Sequence, residues 1–174
     1  MNKLYPFSAL VVLGFTISLA YATPAAPGLD KIEAYAGTWK IETEHFSTPY
    51  SKAGKESSTL HNDCWRSGDF YACHQIVNGK STAMIVFTYD AKNDVYHNYA
   101  IPTDGGKAYS GGTLNIKGNI WTFPWEDTEK DKTTYFHNIN KFTTPDTIEY
   151  RIEFSQDKIH WTVMTKGYEQ KIKT

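Results

Sequence analysis

Apolar and polar side chains alternate along most of this chain, and a period of two residues is typical of β-strands with one buried face. In residues 147–154, isoleucine, tyrosine and phenylalanine occupy one face, while glutamate and arginine occupy the other. Similar runs, separated by short turn sequences, predict ten strands. These are residues 38–46, 57–66, 70–77, 81–89, 95–101, 107–116, 119–125, 133–142, 147–154 and 159–166.

One segment follows a helical rather than a β pattern. Residues 29–36 place Leu29 and Ile32 on one face and end before Gly37, which predicts a short helix. The strands have no helical crossovers between them, so the sheet is antiparallel, and the charged residues 126–132 are predicted to be a solvated loop. Closure protects the edges of such a sheet. We therefore predict an all-β fold, an antiparallel up-and-down barrel of about ten strands with a short N-terminal helix.

The N-terminal 22 residues have the features of a secretory signal peptide. Lys3 precedes an apolar run over residues 10–20, and the segment ends in Ala-Tyr-Ala, with small residues where signal peptidase cleaves. An uncleaved anchor helix is the alternative, but crossing a bilayer takes about 20 apolar residues. We predict cleavage after residue 22, a single domain over residues 23–174, and a secreted or periplasmic location with no membrane span after cleavage.

Composition and charge exclude some classes of function. Acidic residues number 19 and Lys plus Arg 18, so the chain lacks the basic excess on which nucleic-acid binding depends. The histidines follow none of the common metal-binding spacings. We therefore predict no nucleic-acid partner, no metal and no cofactor, while the sequence leaves the oligomeric state open.

Two cysteines flank a predicted hairpin. A turn at Gly68-Asp69 places Cys64 directly opposite Cys73, at a non-hydrogen-bonded pair whose Cα atoms approach closely enough for a disulfide. The alternatives are a redox-active pair, which usually has two intervening residues, and half of a zinc site. In an oxidising compartment we predict a structural disulfide between Cys64 and Cys73.

The start of the first predicted strand resembles that of calycins, the superfamily of lipocalins and fatty-acid-binding proteins. Residues 36–40 read Ala-Gly-Thr-Trp-Lys and follow the predicted helix; in calycins a Gly-x-Trp opens the first strand, and its Trp packs across the closed barrel end. The chain is also similar to a bacterial family of secreted lipocalin-like domains of unknown function. The shared features are this start, a Tyr-Asp-x-x-x-x-Val-Tyr turn at residues 89–96, and Trp161 after a polar turn. The resemblance covers most of residues 30–168 and implies a calycin barrel.

The chain departs from two calycin ligand patterns. Fatty-acid-binding proteins hold a carboxylate with an Arg near the C-terminal strands, but here Arg151 alternates with the apolar face and is expected to point outward. Nitrobindin-like haem barrels begin Gly-x-Trp-x-Gly-x-Gly, whereas residues 37–43 read Gly-Thr-Trp-Lys-Ile-Glu-Thr. Neither fatty acid nor haem is predicted.

The alternating aromatic positions indicate a ligand cavity, because a ten-stranded barrel is wider than its own side chains need. Apolar walls with a few hydroxyl and imidazole groups are typical of small-molecule pockets. We predict that a small, largely apolar ligand binds inside the barrel. The candidate ligand-binding residues are Trp39, His45, Phe87, Tyr89, Trp121, Phe123, Tyr135, His137 and Tyr150.

Two other functions stay open. An enzyme using the same cavity would employ His45, Tyr89, His97 or His137 as acid–base groups, and it requires two of them within about 3 Å or bridged by one water. An interaction module would instead have a filled interior and an exposed apolar patch.

Overall fold

A computed structural model describes residues 28–105 and 111–173. These residues form one 3-10 helix (Leu29–Tyr35) and ten strands. The strands are β1 (Gly37–His45), β2 (Gly54–Ser67), β3 (Phe70–Val77), β4 (Lys80–Asp90), β5 (Val95–Pro102), β6 (Gly112–Lys117), β7 (Ile120–Glu129), β8 (Lys132–Thr144), β9 (Thr147–Ser155) and β10 (Thr162–Lys171). The predicted signal segment, residues 1–22, lies outside the described residues, as does the predicted start of the sixth strand.

The ten strands form a closed antiparallel barrel. Each strand pairs with its neighbours in sequence, and β1 also pairs with β10, so that the sheet closes on itself. The predicted all-β barrel with a short N-terminal helix is therefore confirmed. In the part of the chain that the structure describes, no helix has the length and apolar character needed to cross a membrane.

The predicted loop over residues 126–132 is wrong, because most of it continues the β7–β8 hairpin. Strand β7 runs to Glu129 and β8 starts at Lys132, joined by Lys130 and Asp131. Both connecting residues have positive φ, 47° and 65°, as a two-residue hairpin turn requires. The hairpin extends beyond the core, so its charged side chains are solvated although the backbone stays paired.

The 3-10 helix closes one end of the barrel. Leu29 and Ile32 are fully buried and belong to one core cluster with residues of five strands, β3 to β7. The other buried members of this cluster are Tyr71, Cys73, Phe87, Tyr96, Leu114 and Trp121. The helix therefore acts as a plug, and its two apolar side chains complete the core at the closed end.

Trp39 ties the plug to the first strand. Its ring is fully buried, and its Nε1 donates to the Tyr35 carbonyl oxygen at 3.0 Å. The Tyr96 hydroxyl donates to the Gly28 carbonyl oxygen at 2.8 Å, which fixes the other end of the helix. A Gly-x-Trp whose Trp packs across the closed end fits the calycin resemblance of the sequence.

The predicted disulfide is confirmed. Cys64 and Cys73 are bonded and are direct cross-strand partners on β2 and β3, with Cα atoms 4.0 Å apart. Cys73 belongs to the closed-end cluster and Cys64 packs against it. The disulfide therefore links the first long hairpin to the plugged end of the barrel.

Candidate binding site in the barrel lumen

The lumen contains a cavity of about 320 Å³. Its apolar lining residues are Leu60, Ile85, Phe87, Phe123, Trp125 and Ile152. Its polar lining residues are Asn62, Gln75, Asn98, Asn138, Asn140 and Glu169. The two kinds lie side by side on neighbouring strands, since Phe87 pairs with Asn98 and Asn138 pairs with Phe123 and Ile152. Tyr35 reaches the cavity from the plug. The space is at the lower end of the range for small-molecule sites, and its mixed lining suits a ligand with both an apolar and a polar part.

Two of the polar groups satisfy each other. Gln75 Nε2 donates to Asn62 Oδ1 at 3.2 Å, and Asn62 Nδ2 donates to the Tyr35 carbonyl oxygen at 3.1 Å. The first bond links β3 to β2, and the second links β2 to the plug. The side chains of Asn62 and Gln75 are therefore held in place by the protein itself.

Three other amides leave an acceptor without a donor. The Oδ1 atoms of Asn98, Asn138 and Asn140 are buried and have no hydrogen-bond partner among the described residues. Asn140 is only 5% exposed, and its Nδ2 donates to the Tyr35 hydroxyl at 2.6 Å, which directs its oxygen away from that hydroxyl. Leaving such a group unsatisfied costs about 1–3 kcal/mol, so these oxygens favour a ligand that supplies hydrogen-bond donors.

Glu169 places a carboxyl group in the same cavity. It lies on β10 between Ile41 of β1 and Ile148 of β9, and it has no hydrogen bond or ion pair with the described residues. Burial alone raises the pKa of Glu169 to about 7. The carboxyl is therefore close to half ionised at neutral pH.

The tyrosines near Glu169 stay neutral. Burial is the main cause that raises the pKa of Tyr35, and the charge of Glu169 adds to it, against the opposing hydrogen bond from Asn140. Burial also raises the pKa of Tyr150, with Glu169 again adding to the effect. These hydroxyls act as hydrogen-bonding groups, not as acids, in the physiological range.

An aromatic cluster lies at the end of the barrel opposite the plug. We call Tyr50, Trp125, Phe136 and Phe154 the mouth cluster: Tyr50, from the β1–β2 connection, packs edge-on against Phe136 and Phe154, and Trp125 stacks on Phe136 at 5.1 Å. The Tyr50 hydroxyl accepts from Gln156 Nε2 at 3.0 Å. Trp125 lines the cavity and is nevertheless 41% exposed, so the lumen reaches solvent at this cluster.

Of the sequence-predicted ligand residues, Phe87 and Phe123 line the cavity. Three more lie at the closed end. Trp39 and Trp121 are buried there, and Tyr89 packs against Tyr96 with its hydroxyl donating to Asp94 at 2.8 Å. These three belong to the plugged end and do not line the cavity.

His45 and Tyr150 point inward but form contacts of their own. His45 lies near the mouth, with Nδ1 3.0 Å from the Thr165 hydroxyl and Nε2 3.3 Å from a Glu56 carboxylate oxygen. The Tyr150 ring lies across Gly167, and its hydroxyl is 2.5 Å from the Thr43 hydroxyl.

The expectation that Tyr135 and His137 face the lumen is wrong. His137 pairs with Pro124 and stacks on Trp161 outside the barrel at 3.7 Å, and Lys158 Nζ lies 4.1 Å from the Tyr135 ring centroid. Burial under Trp161 lowers the pKa of His137. The faces of β8 were interchanged because its lumenal side carries asparagines, which apolar periodicity assigns to solvent.

The structure does not bring the proposed acid–base groups together. His45 bonds to Thr165 and Glu56, Tyr89 bonds to Asp94, and His137 stacks on Trp161. His97 pairs with Thr88 and Thr113 on the neighbouring strands. In the described residues these four candidates form no hydrogen bond with one another. The described ranges also contain no group of three or more His, Cys, Asp or Glu side chains arranged to hold a metal ion.

A larger groove, of about 750 Å³, runs along the outer faces of β1, β2, β9 and β10. Its charged side chains pair with one another: Glu44 accepts from both Lys55 and Lys166, and Lys141 lies 3.7 Å from Glu149. Exposed pairs of this kind are well solvated and contribute little to binding. The lumen is therefore the better candidate despite its smaller volume.

Sequence reasoning missed Asn98, Asn138, Asn140, Trp125 and Glu169 as lumenal groups. The sequence contained one signal. Asn138 and Asn140 occupy alternate positions in the middle of β8, on either side of Ile139, and asparagine is uncommon in strands. Glu169 had no such signal, since the last strand was predicted to end at residue 166, three residues before it.

Comparisons with known proteins support the fold and no specific family. No protein-family model and no curated protein matches the sequence. Among solved structures, the chain is similar to Rv2717c from M. tuberculosis, with a TM-score of 0.51, 11% sequence identity, and coverage of 86% of this chain and 99% of that chain. At this identity the likeness shows a shared barrel fold, which fits a calycin-like architecture.

Proposed function

We propose that this chain is an exported calycin-like barrel that binds a small amphipathic molecule in its lumen. The observation that carries the proposal is the lumenal cavity with three buried amide oxygens that have no donor in residues 28–105 and 111–173. A barrel selected only for stability gains most by filling its core with apolar side chains, because unpaired polar groups there are costly. A ligand that supplies donors would recover that cost.

The lining defines the shape of the expected ligand. Phe87, Phe123 and Ile152 provide apolar contacts, and Asn98 and Asn138 lie beside them as cross-strand partners. The ligand therefore has an apolar body and at least one hydrogen-bonding group, which is more polar than the sequence pattern alone suggested. The cavity also favours this function over an interaction module, for which a filled interior is expected.

Export is proposed from the signal-like segment and is supported by the disulfide, since such bonds persist in oxidising compartments. Expression of the full chain in a secreting host, followed by N-terminal sequencing of the exported protein, tests this part. We expect Thr23 as the first residue. Recovery of Met1 in the exported protein would contradict it.

Binding is tested with N-phenyl-1-naphthylamine, an uncharged probe whose fluorescence rises in apolar sites. We expect saturable binding to the wild-type protein and loss of that binding in Ile152→Trp, which fills the cavity from β9. The matched control is Ile139→Trp, because Ile139 lies on the outer face of β8 and pairs with Thr122 and Arg151.

Equal binding by both tryptophan variants would place the probe outside the lumen, and absence of saturable binding by the wild type would refute the proposed function. Circular dichroism of each variant shows whether the barrel has formed. If Ile152→Trp does not fold, Ile152→Phe takes its place as a smaller filling substitution.

A further inference from the structure

We propose that the lumenal ligand is a small organic cation, an alkyl or arylalkyl ammonium, whose charged nitrogen pairs with the Glu169 carboxylate. This inference rests on the proposed function and specifies the ligand class of the same site. It is carried by the charge and hydrogen-bonding character of the lumen.

The cavity lining carries negative and no positive charge among the described residues. Among the described residues that line it, Glu169 is the single ionisable group that carries a charge, and none is Lys, Arg or His. Lys171, two residues further along the same face, has its Nζ 5.1 Å from the Trp39 ring centroid and forms no ion pair with Glu169. An ionised Glu169 therefore has no counter-charge from the described protein, and a cationic ligand would supply one.

The hydrogen-bonding groups of the cavity lining also favour a cationic ligand. The free oxygens of Asn98, Asn138 and Asn140 are acceptors, and Asn140 is itself more than nine-tenths buried. A primary ammonium has three donors and no acceptor. Such a group matches a cavity with one carboxylate and unpaired amide oxygens, whereas a ligand carboxylate would meet the Glu169 charge and be repelled.

The apolar lining residues determine the non-polar part of the ligand. Phe87, Phe123 and Trp125 line the cavity together with the amides, and Ile152 is a cross-strand partner of Asn138. An ammonium joined to an aromatic ring by a short chain would place its ring against these side chains and its charge near β10. Simple inorganic cations lack the apolar part.

Binding should depend on pH through Glu169. Besides Glu169, the titratable groups that face it are Tyr35 of the plug and Tyr150 of β9, both neutral because their pKa values are raised. An alkylammonium keeps its proton to about pH 10. Since the Glu169 carboxyl ionises around neutrality, affinity for the cation should rise about tenfold from pH 6 to pH 8.

The test compares three ligands of similar size by isothermal titration calorimetry: 2-phenylethylamine, 2-phenylethanol and phenylacetate. We expect the amine to bind at least about tenfold more tightly than the alcohol at pH 8, and phenylacetate to bind least. Glu169→Gln should remove the preference for the amine over the alcohol and the pH dependence of amine binding. Glu149→Gln is the matched control, because Glu149 faces outward and pairs with Lys141.

The outcomes separate the two proposals. If none of the three ligands nor N-phenyl-1-naphthylamine binds, the proposed function fails. If the uncharged probe binds in the lumen but the amine has no advantage over the alcohol, or Glu169→Gln leaves that advantage intact, the cation inference is overturned and the function stands. The pH profile of the wild type needs no variant, so a folding defect in Glu169→Gln leaves the inference open to refutation.

Discussion

Glu169 couples the chemistry of the lumen to the stability of the fold. Its pKa rises from 4.5 to about 7 on folding because burial disfavours the ionised form. Between these values the folded state binds more protons than the unfolded state, so the free energy of unfolding falls as pH rises from about 4.5 to 7. A group retained at such a cost is a candidate for function rather than for stability.

Glu169→Gln should therefore stabilise the protein above pH 7. We expect the free energy of unfolding at pH 8 to rise by on the order of 2–3 kcal/mol, at about 1.4 kcal/mol per unit of pKa shift with part of the carboxyl facing the cavity. At pH 4 the two proteins should be equally stable, since Glu169 is protonated in both states. Urea unfolding at both pH values measures this, with Glu149→Gln as control. A variant less stable than wild type at pH 8 would contradict it.

Gly167 allows the Tyr150 ring to cross β10. A Cβ at this position would collide with the Glu42 carbonyl oxygen and lie 2.8 Å from the Tyr150 ring. We expect Gly167→Ala to destabilise the barrel by about 1–3 kcal/mol in urea unfolding, because backbone and ring both have to move. Gly54→Ala is the control, since a Cβ there meets nothing within 4 Å. Equal effects of the two substitutions would argue against this role for Gly167.

At the residue scale, sequence reasoning identified the apolar lumenal residues better than the polar ones. Phe87 and Phe123 follow the alternation and line the cavity. His137 was assigned inward because Asn138 and Asn140 look like solvent-facing positions in isolation. In a lumen that binds a ligand, some of the inward-facing side chains are polar. The wrong assignment of His137 therefore concerns the strand that carries two residues of the candidate site.

At the level of elements, the β2–β3 hairpin was predictable because its determinants are local. The Gly68-Asp69 turn sets the register, and that register brings Cys64 opposite Cys73. The β7–β8 hairpin was missed at its tip because acidic and basic residues at 126–132 resemble a loop. Nothing in that short stretch indicates that backbone pairing continues beyond the core.

Removal of the disulfide should weaken the hairpin and the closed end together. We expect the double variant Cys64→Ala/Cys73→Ala to lose about 2–3 kcal/mol of unfolding free energy, as the chain-entropy model gives for a short closed loop. Chemical denaturation under non-reducing conditions measures the loss. The wild type after reduction should show a similar loss, and an unchanged midpoint in both would contradict a stabilising role.

At the scale of the whole molecule, closure and the presence of a cavity follow from the sequence, whereas the size of the cavity and the groups that meet across it do not. Short connections and the absence of crossover helices leave antiparallel neighbours, and ten such strands avoid open edges by pairing β1 with β10. The volume left inside depends on side chains that meet across the lumen from strands far apart in sequence. Local pattern carries no information on those contacts, so neither the size of the cavity nor the shared position of the amides and Glu169 could be read in advance.

The most direct test of the account is a titration of the ¹⁵N-labelled protein with 2-phenylethylamine at pH 8, followed by ¹H–¹⁵N NMR. The side-chain amide signals of Asn98, Asn138 and Asn140 are expected to shift together and saturably, while the Trp161 indole signal outside the barrel stays in place. Shifts confined to Trp161 and its neighbours, with the three lumenal amides unchanged, would show that the cavity is not the binding site.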